Sequence, residues 1–119
     1  MSHLEKELYL ILQHNLINEK FHYPLICYKV ELFGSWNNWN YGTVANMEYE
    51  ISRNNGKLSR IIKYVAKINL KKGKYEYKWK FSYFDKNNNA KNHIIWLTDD
   101  NNKLEDNDGW NKNNILTIP

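Results

Sequence analysis

With a single cysteine, Cys27, this chain of 119 residues forms no internal disulfide and builds no zinc site from cysteine pairs. Cys27 also has no Arg six positions on, which excludes a phosphatase-type cysteine loop. No apolar run approaches the ~18 residues of a membrane-spanning helix. The N-terminal stretch carries alternating charge where a secretory signal would carry an apolar core. Asn is abundant, yet no Asn-x-Ser/Thr acceptor site occurs. These absences point to an intracellular, cytoplasmic protein. There is no glycine-rich phosphate loop, and His3, His14, His22 and His93 are scattered singly, so neither a cofactor nor a metal is expected. The run Asp106-Asn107-Asp108-Gly109 resembles part of a calcium loop. Its first ligand position would be Leu104, however, and no Glu stands at the twelfth, so it reads as a solvated acidic turn. Asp and Glu are plentiful, but nothing marks out a carboxylate pair for glycoside hydrolysis, and the chain is small for such an enzyme. The expectation is a non-catalytic protein.

What the chain does have is aromatic side chains: nine Tyr, five Trp and four Phe. Such residues favour strands and also make binding surfaces. The length suits one domain, which buries roughly two-thirds of the surface its unfolded chain exposes. The formal charge of +4 permits weak attraction to polyanions without demanding it. From residue 75 the sequence reads YEYKWKF and alternates strictly. Tyr75, Tyr77, Trp79, Phe81 and Tyr83 fall on one face of a strand, and Lys74, Glu76, Lys78, Lys80 and Ser82 on the other. An aromatic face backed by a charged one marks a half-buried antiparallel strand.

Ser2-His3-Leu4-Glu5 fits a capping box, and Leu4, Leu8, Ile11, Leu12 and Leu16 follow helical spacing. This predicts an α-helix over residues 4–18 within an N-terminal extension, residues 1–24. Its apolar stripe packs on the domain's own body or, alternatively, docks on a separate protein partner. Beyond Pro24 the pattern is of short strands at 27–33, 44–51, 58–70 (with room for a bulge), 74–84, 93–98 and 113–118. Asn55-Gly56 marks a tight hairpin needing positive φ, and Lys71-Lys72-Gly73 a second turn. Residues 85–92 and 99–111 read as polar, Asn-rich loops. The expected fold is all-β: an antiparallel sandwich over residues 25–119 with an added N-terminal helix.

Three segments carry a resemblance. KVELFGSWNNW, residues 29–39, looks like the start of a family 48 carbohydrate-binding module, the family that includes the glycogen-binding domain of the AMP-activated kinase β subunit. YVAKINLKKGKYEYKWKF, residues 64–81, resembles that family's second signature, an alternating strand, a Leu-x-x-Gly turn and a Tyr-Lys-aromatic run. GWNKNNILTI, residues 109–118, is similar to its closing strand. The three come in family order. The resemblance implies an immunoglobulin-like sandwich that binds α-1,4-glucan, glycogen or starch, without cleaving it, and so targets itself or a partner to polysaccharide. By position, Trp39 would be one stacking platform and Trp96 the second. Lys78 would hydrogen-bond a sugar hydroxyl, and Asn113 would donate and accept at a neighbouring one. Trp110, where the family has a smaller residue, would add a third platform or cap the core. Trp36 matches an aromatic position used for packing.

The residues agree with this in chemical terms. A glucose ring has an apolar C–H face that suits a flat indole, and a rim of hydroxyls that suits Lys and Asn. The chain departs from the family in the long loop before Trp96 and in the longer hairpin at Asn55-Gly56. Two other classes of function stand beside it. One is a protein-interaction module on the same sandwich that has lost sugar binding. The other is nucleic-acid binding through Lys71, Lys72, Lys74, Lys78 and Lys80, the less favoured reading, so no nucleic-acid partner is expected.

Overall fold

The computed structural model describes residues 3–12, 25–54, 56–85, 92–106 and 112–119. Nine strands occupy them: β1 Leu4–Leu12, β2 Leu25–Gly34, β3 Thr43–Val44, β4 Asn46–Asn54, β5 Lys57–Leu70, β6 Gly73–Asp85, β7 Asn92–Leu97, β8 Leu104–Asp106 and β9 Lys112–Ile118. They form two antiparallel sheets. The smaller has the order β1-β5-β4, and the larger β3-β2-β6-β9-β8, with β7 also paired to β6. The all-β expectation therefore holds.

The core lies between the sheets. Leu8, Leu10, Tyr64, Ala66, Ile68 and Leu70 come from the smaller sheet, and Val30, Leu32, Tyr77, Trp79, Phe81, Tyr83, Leu116 and Ile118 from the larger. These residues obey period-two alternation along their strands, as a sheet with one buried face requires. The aromatic face of the YEYKWKF run is the buried one: Tyr77 and Trp79 are fully enclosed. The hairpin joining β4 to β5 closes with Asn54 opposite Lys57, and Gly56 takes a φ of +78°, as expected of a tight turn.

The N-terminal helix is a correction. Residues 4–12 are a strand, paired antiparallel with β5 from Leu4 opposite Leu70 to Leu12 opposite Ile62. Residues 13–18 of the expected helix, and the boundary expected at residue 24, lie outside the described residues. The apolar positions of LEKELYLIL satisfy both a helical stripe and an alternating strand, so tertiary pairing decides. An isolated helix of this length is marginal in water. The long β5 offers it a strand edge, and the core shared by the two sheets takes in Leu8 and Leu10, each only 3% exposed. Tyr9 and Ile11 point the other way and stay exposed. Two smaller corrections follow. β5 carries no bulge in its pairing with either neighbour, and the irregularity falls in β2, between Cys27 and Lys29. The stretch 99–111, expected as loop throughout, contains β8, and the single strand expected at 44–51 is divided into β3 and β4.

Alternation in β1 has a measurable consequence. Leu10→Ala should cost about 2–5 kcal/mol as a core truncation. Ile11→Ala should cost no more than about 1 kcal/mol. Urea denaturation of the two variants checks the order. A helix with Ile11 on its buried stripe would reverse it.

Candidate functional site

The outer face of the larger sheet is built on β6. Its inner side chains fill the core, so Lys74, Glu76, Lys78 and Lys80 must project from the opposite side. β2 contributes Phe33, directly opposite Lys78. β7 contributes Trp96, opposite Lys80. β9 contributes Asn113, which pairs with Glu105 of β8. Trp39 arrives from the turn that follows β2.

That turn is tightly specified. Ser35–Asn37 makes one turn of 3₁₀-helix, and Asn38 and Trp39 follow in the left-handed region at φ +56° and +62°. Asn tolerates this conformation, whereas a bulky residue such as Trp rarely adopts it. The strain, about 1–3 kcal/mol, persists only where the surroundings impose it. Here Asn38 N donates to Ser35 O at 3.2 Å, Trp39 N to Gly34 O at 3.0 Å and Asn40 N to Asn37 O at 3.2 Å. Asn37 Nδ2 donates to Tyr41 O at 3.0 Å, and Ser35 Oγ accepts from Glu76 N at 2.9 Å, tying the turn to β6. Gly34 is required because the Trp36 ring lies against it; a Cβ there would stand 2.2 Å from the indole. Trp36 packs on the core and meets Tyr75 edge-on at 6.3 Å, the packing role expected of it.

Trp39, Lys78, Trp96 and Asn113 line one open groove of about 290 Å³. Four residues from four separate stretches of sequence thus meet at one place. Trp110 lies outside the described residues. Trp96 is 45% exposed, as a residue offering a ring face to solvent must be. Lys78 is half-buried and makes no ion pair among the described residues. By contrast, Lys74 pairs with Glu105 at 3.2 Å and Lys29 with Glu31 at 3.6 Å. Asn113 Nδ2 donates to Glu76 Oε1 over a long 3.5 Å. The groove therefore offers indole surface with an amine and an amide between. Among the described residues no cluster of three His, Cys, Asp or Glu could hold a metal ion. His93 instead stacks on Tyr83, with ring centres 5.2 Å apart.

Sequence reasoning passed over Phe33. Its ring meets Trp96 edge-on at 5.4 Å and 74°, and Lys80 Nζ stands 5.5 Å from its centre. It packs edge-on against the second indole. The signal was available: in the run from Lys29 to Phe33, position 33 falls on the polar side of the alternation, where a large aromatic needs a reason.

Compared with models of known protein families, the chain matches none, and a comparison with curated proteins likewise finds no match.

The Phe33–Trp96 contact can be weighed by a double-mutant cycle of Phe33→Ala and Trp96→Ala. A coupling of about 0.5–1.5 kcal/mol in urea denaturation is expected for an edge-to-face pair. Additive losses would mean that Phe33 does not support Trp96.

Proposed function

We propose that this protein is a non-catalytic α-glucan-binding module on an immunoglobulin-like sandwich, similar in kind to the family 48 carbohydrate-binding modules. It would bring itself or a partner to glycogen or starch in the cytoplasm. The observation that carries the reading is the convergence of Trp39, Lys78, Trp96 and Asn113 on one groove. These are the positions named by resemblance, and they are distant in sequence. In this reading the indoles cover the apolar faces of glucose rings. Lys78, whose amine has no carboxylate partner among the described residues, donates to a hydroxyl. Asn113 donates and accepts beside it. The neutral ligand fits a face where Glu76 and Glu105 stand among the lysines.

A protein-interaction module is the second reading. It is favoured by Ile94, which is exposed on the same side of β7 as Trp96 and extends the apolar area beyond the groove.

Calorimetric titration with a cyclic maltooligosaccharide, and with a β-1,4-glucan as control, tests the proposal. Wild type should bind the first and not the second, with little change between low and high salt. Phosphate contacts would instead weaken steeply as salt rises. Trp39→Ala should lose ~1–3 kcal/mol of binding, by analogy with aromatic stacking on bases. Lys78→Ala should lose ~0.5–1.5 kcal/mol, one net hydrogen bond. Both should remain folded by circular dichroism. No heat with any α-glucan sinks the sugar reading and leaves the protein-interaction module in its place.

A further inference from the structure

Three of the groove residues share one support behind the sheet. Lys78 stands between Tyr77 and Trp79, Asn113 precedes Asn114, and Trp96 leads through Leu97 and Thr98 to Asp99. Alternation turns Tyr77, Trp79 and Asn114 inward, and all three converge on Asp99. Tyr77 Oη donates to Asp99 Oδ1 at 2.9 Å, and Trp79 Nε1 to Oδ2 at 2.8 Å. Asn101 N donates to Oδ1 at 3.0 Å. Asn114 grips the backbone of the same residue: its Oδ1 accepts from Asp99 N at 2.8 Å, and its Nδ2 donates to Asp99 O at 3.0 Å and to Asn102 O at 2.9 Å. Asn102 Nδ2 closes the circuit on Tyr77 Oη at 3.0 Å. Asp99 is itself buried, and Asn114 completely so.

The chemistry calls for a carboxylate. A hydroxyl, an indole N–H and a peptide N–H all present hydrogens to the same small group, and only an ionised carboxylate offers acceptors to all of them without a competing donor. An amide in its place would turn an NH₂ toward one of those donors. Buried donors left without an acceptor are costly, so the fully satisfied network admits one arrangement of its strands. That arrangement sets how β6, the exit of β7 and the start of β9 lie together, and these are the stretches that present Lys78, Trp96 and Asn113 on the far side.

We propose that Asp99 is the positioning residue of the groove, a buried carboxylate that fixes Trp96, Lys78 and Asn113 relative to one another and thereby determines how well the groove holds its ligand. Its effect on affinity rests on the sugar-binding reading. Its effect on geometry does not.

The test compares Asp99→Asn with Leu10→Val, a core change in the smaller sheet that removes none of the network's hydrogen bonds. Both are studied well below their melting temperatures. Calorimetry with a cyclic maltooligosaccharide should show Asp99→Asn binding about tenfold more weakly, while Leu10→Val keeps wild-type affinity despite a lowered Tm. In ¹H–¹⁵N spectra, Asp99→Asn should shift the Trp96 indole and Asn113 side-chain amide resonances, and Leu10→Val should leave them in place. If Asp99→Asn does not fold, Tyr77→Phe, which removes one donor and keeps the ring, should produce the same shifts. Equal affinity losses in the Asp99 and Leu10 variants would overturn the proposal, since Asp99 would then act through stability alone. Unmoved Trp96 and Asn113 resonances would overturn it as well. If wild type binds no α-glucan, the sugar reading falls, and the resonances still decide the positioning claim.

Discussion

β6 has hydrogen-bonded neighbours along both edges: β2 on one, and β7 and β9 in succession on the other. A strand held on both sides has no freedom to rotate its side chains between faces, so the alternation in YEYKWKF becomes a division of space. Tyr77, Trp79 and Phe81 fill the core, and Lys78 and Lys80 are left on the outside beside Phe33 and Trp96. The groove is in this sense the reverse side of the core. A one-residue slip of β6 would bury lysines and expose the aromatic stripe.

Tyr and Trp bring polar hydrogens into that core, and this is the second constraint. Each buried donor left unpaired costs about 1–3 kcal/mol, so the aromatic face requires an acceptor that aliphatic residues would not. Asp99 supplies it from the segment after β7, and that segment is drawn in against β6 and β9 as a result. Burial, and then the neighbouring carboxylate, push the Tyr77 hydroxyl far above the ordinary tyrosine range, against the opposing hydrogen bond from Asn102. It therefore remains a donor at every working pH. The opposite side of the site is held by the strained Asn38–Trp39 turn, through its backbone hydrogen bonds and through the side chains of Ser35 and Asn37.

The N-terminal segment shows how a local pattern can support two structures. LEKELYLIL carries a capping signal and helical spacing, and it also alternates. Nothing within the segment chooses between them. The choice comes from β5, a strand of 14 residues whose stretch from Ile62 to Leu70 pairs with every residue of β1. β1 joins the loop region too, since Asn101 Nδ2 donates to Tyr9 O.

The longer strands β2, β4, β5, β6, β7 and β9, the hairpin turn at Gly56 and the two faces of β6 were legible because period-two alternation and turn chemistry are local properties. The groove residues were named only by resemblance, and Phe33 was missed, because a side chain's neighbours across a sheet depend on register, which no single segment contains. The N-terminal strand and the Asp99 network lay further out of reach for the same reason. The sequence by itself determined which side chains of β6 would turn inward and which outward. Only the tertiary structure decided which outward residues would meet, because contacts between distant segments are selected by the shared core and its buried hydrogen bonds rather than by local preference.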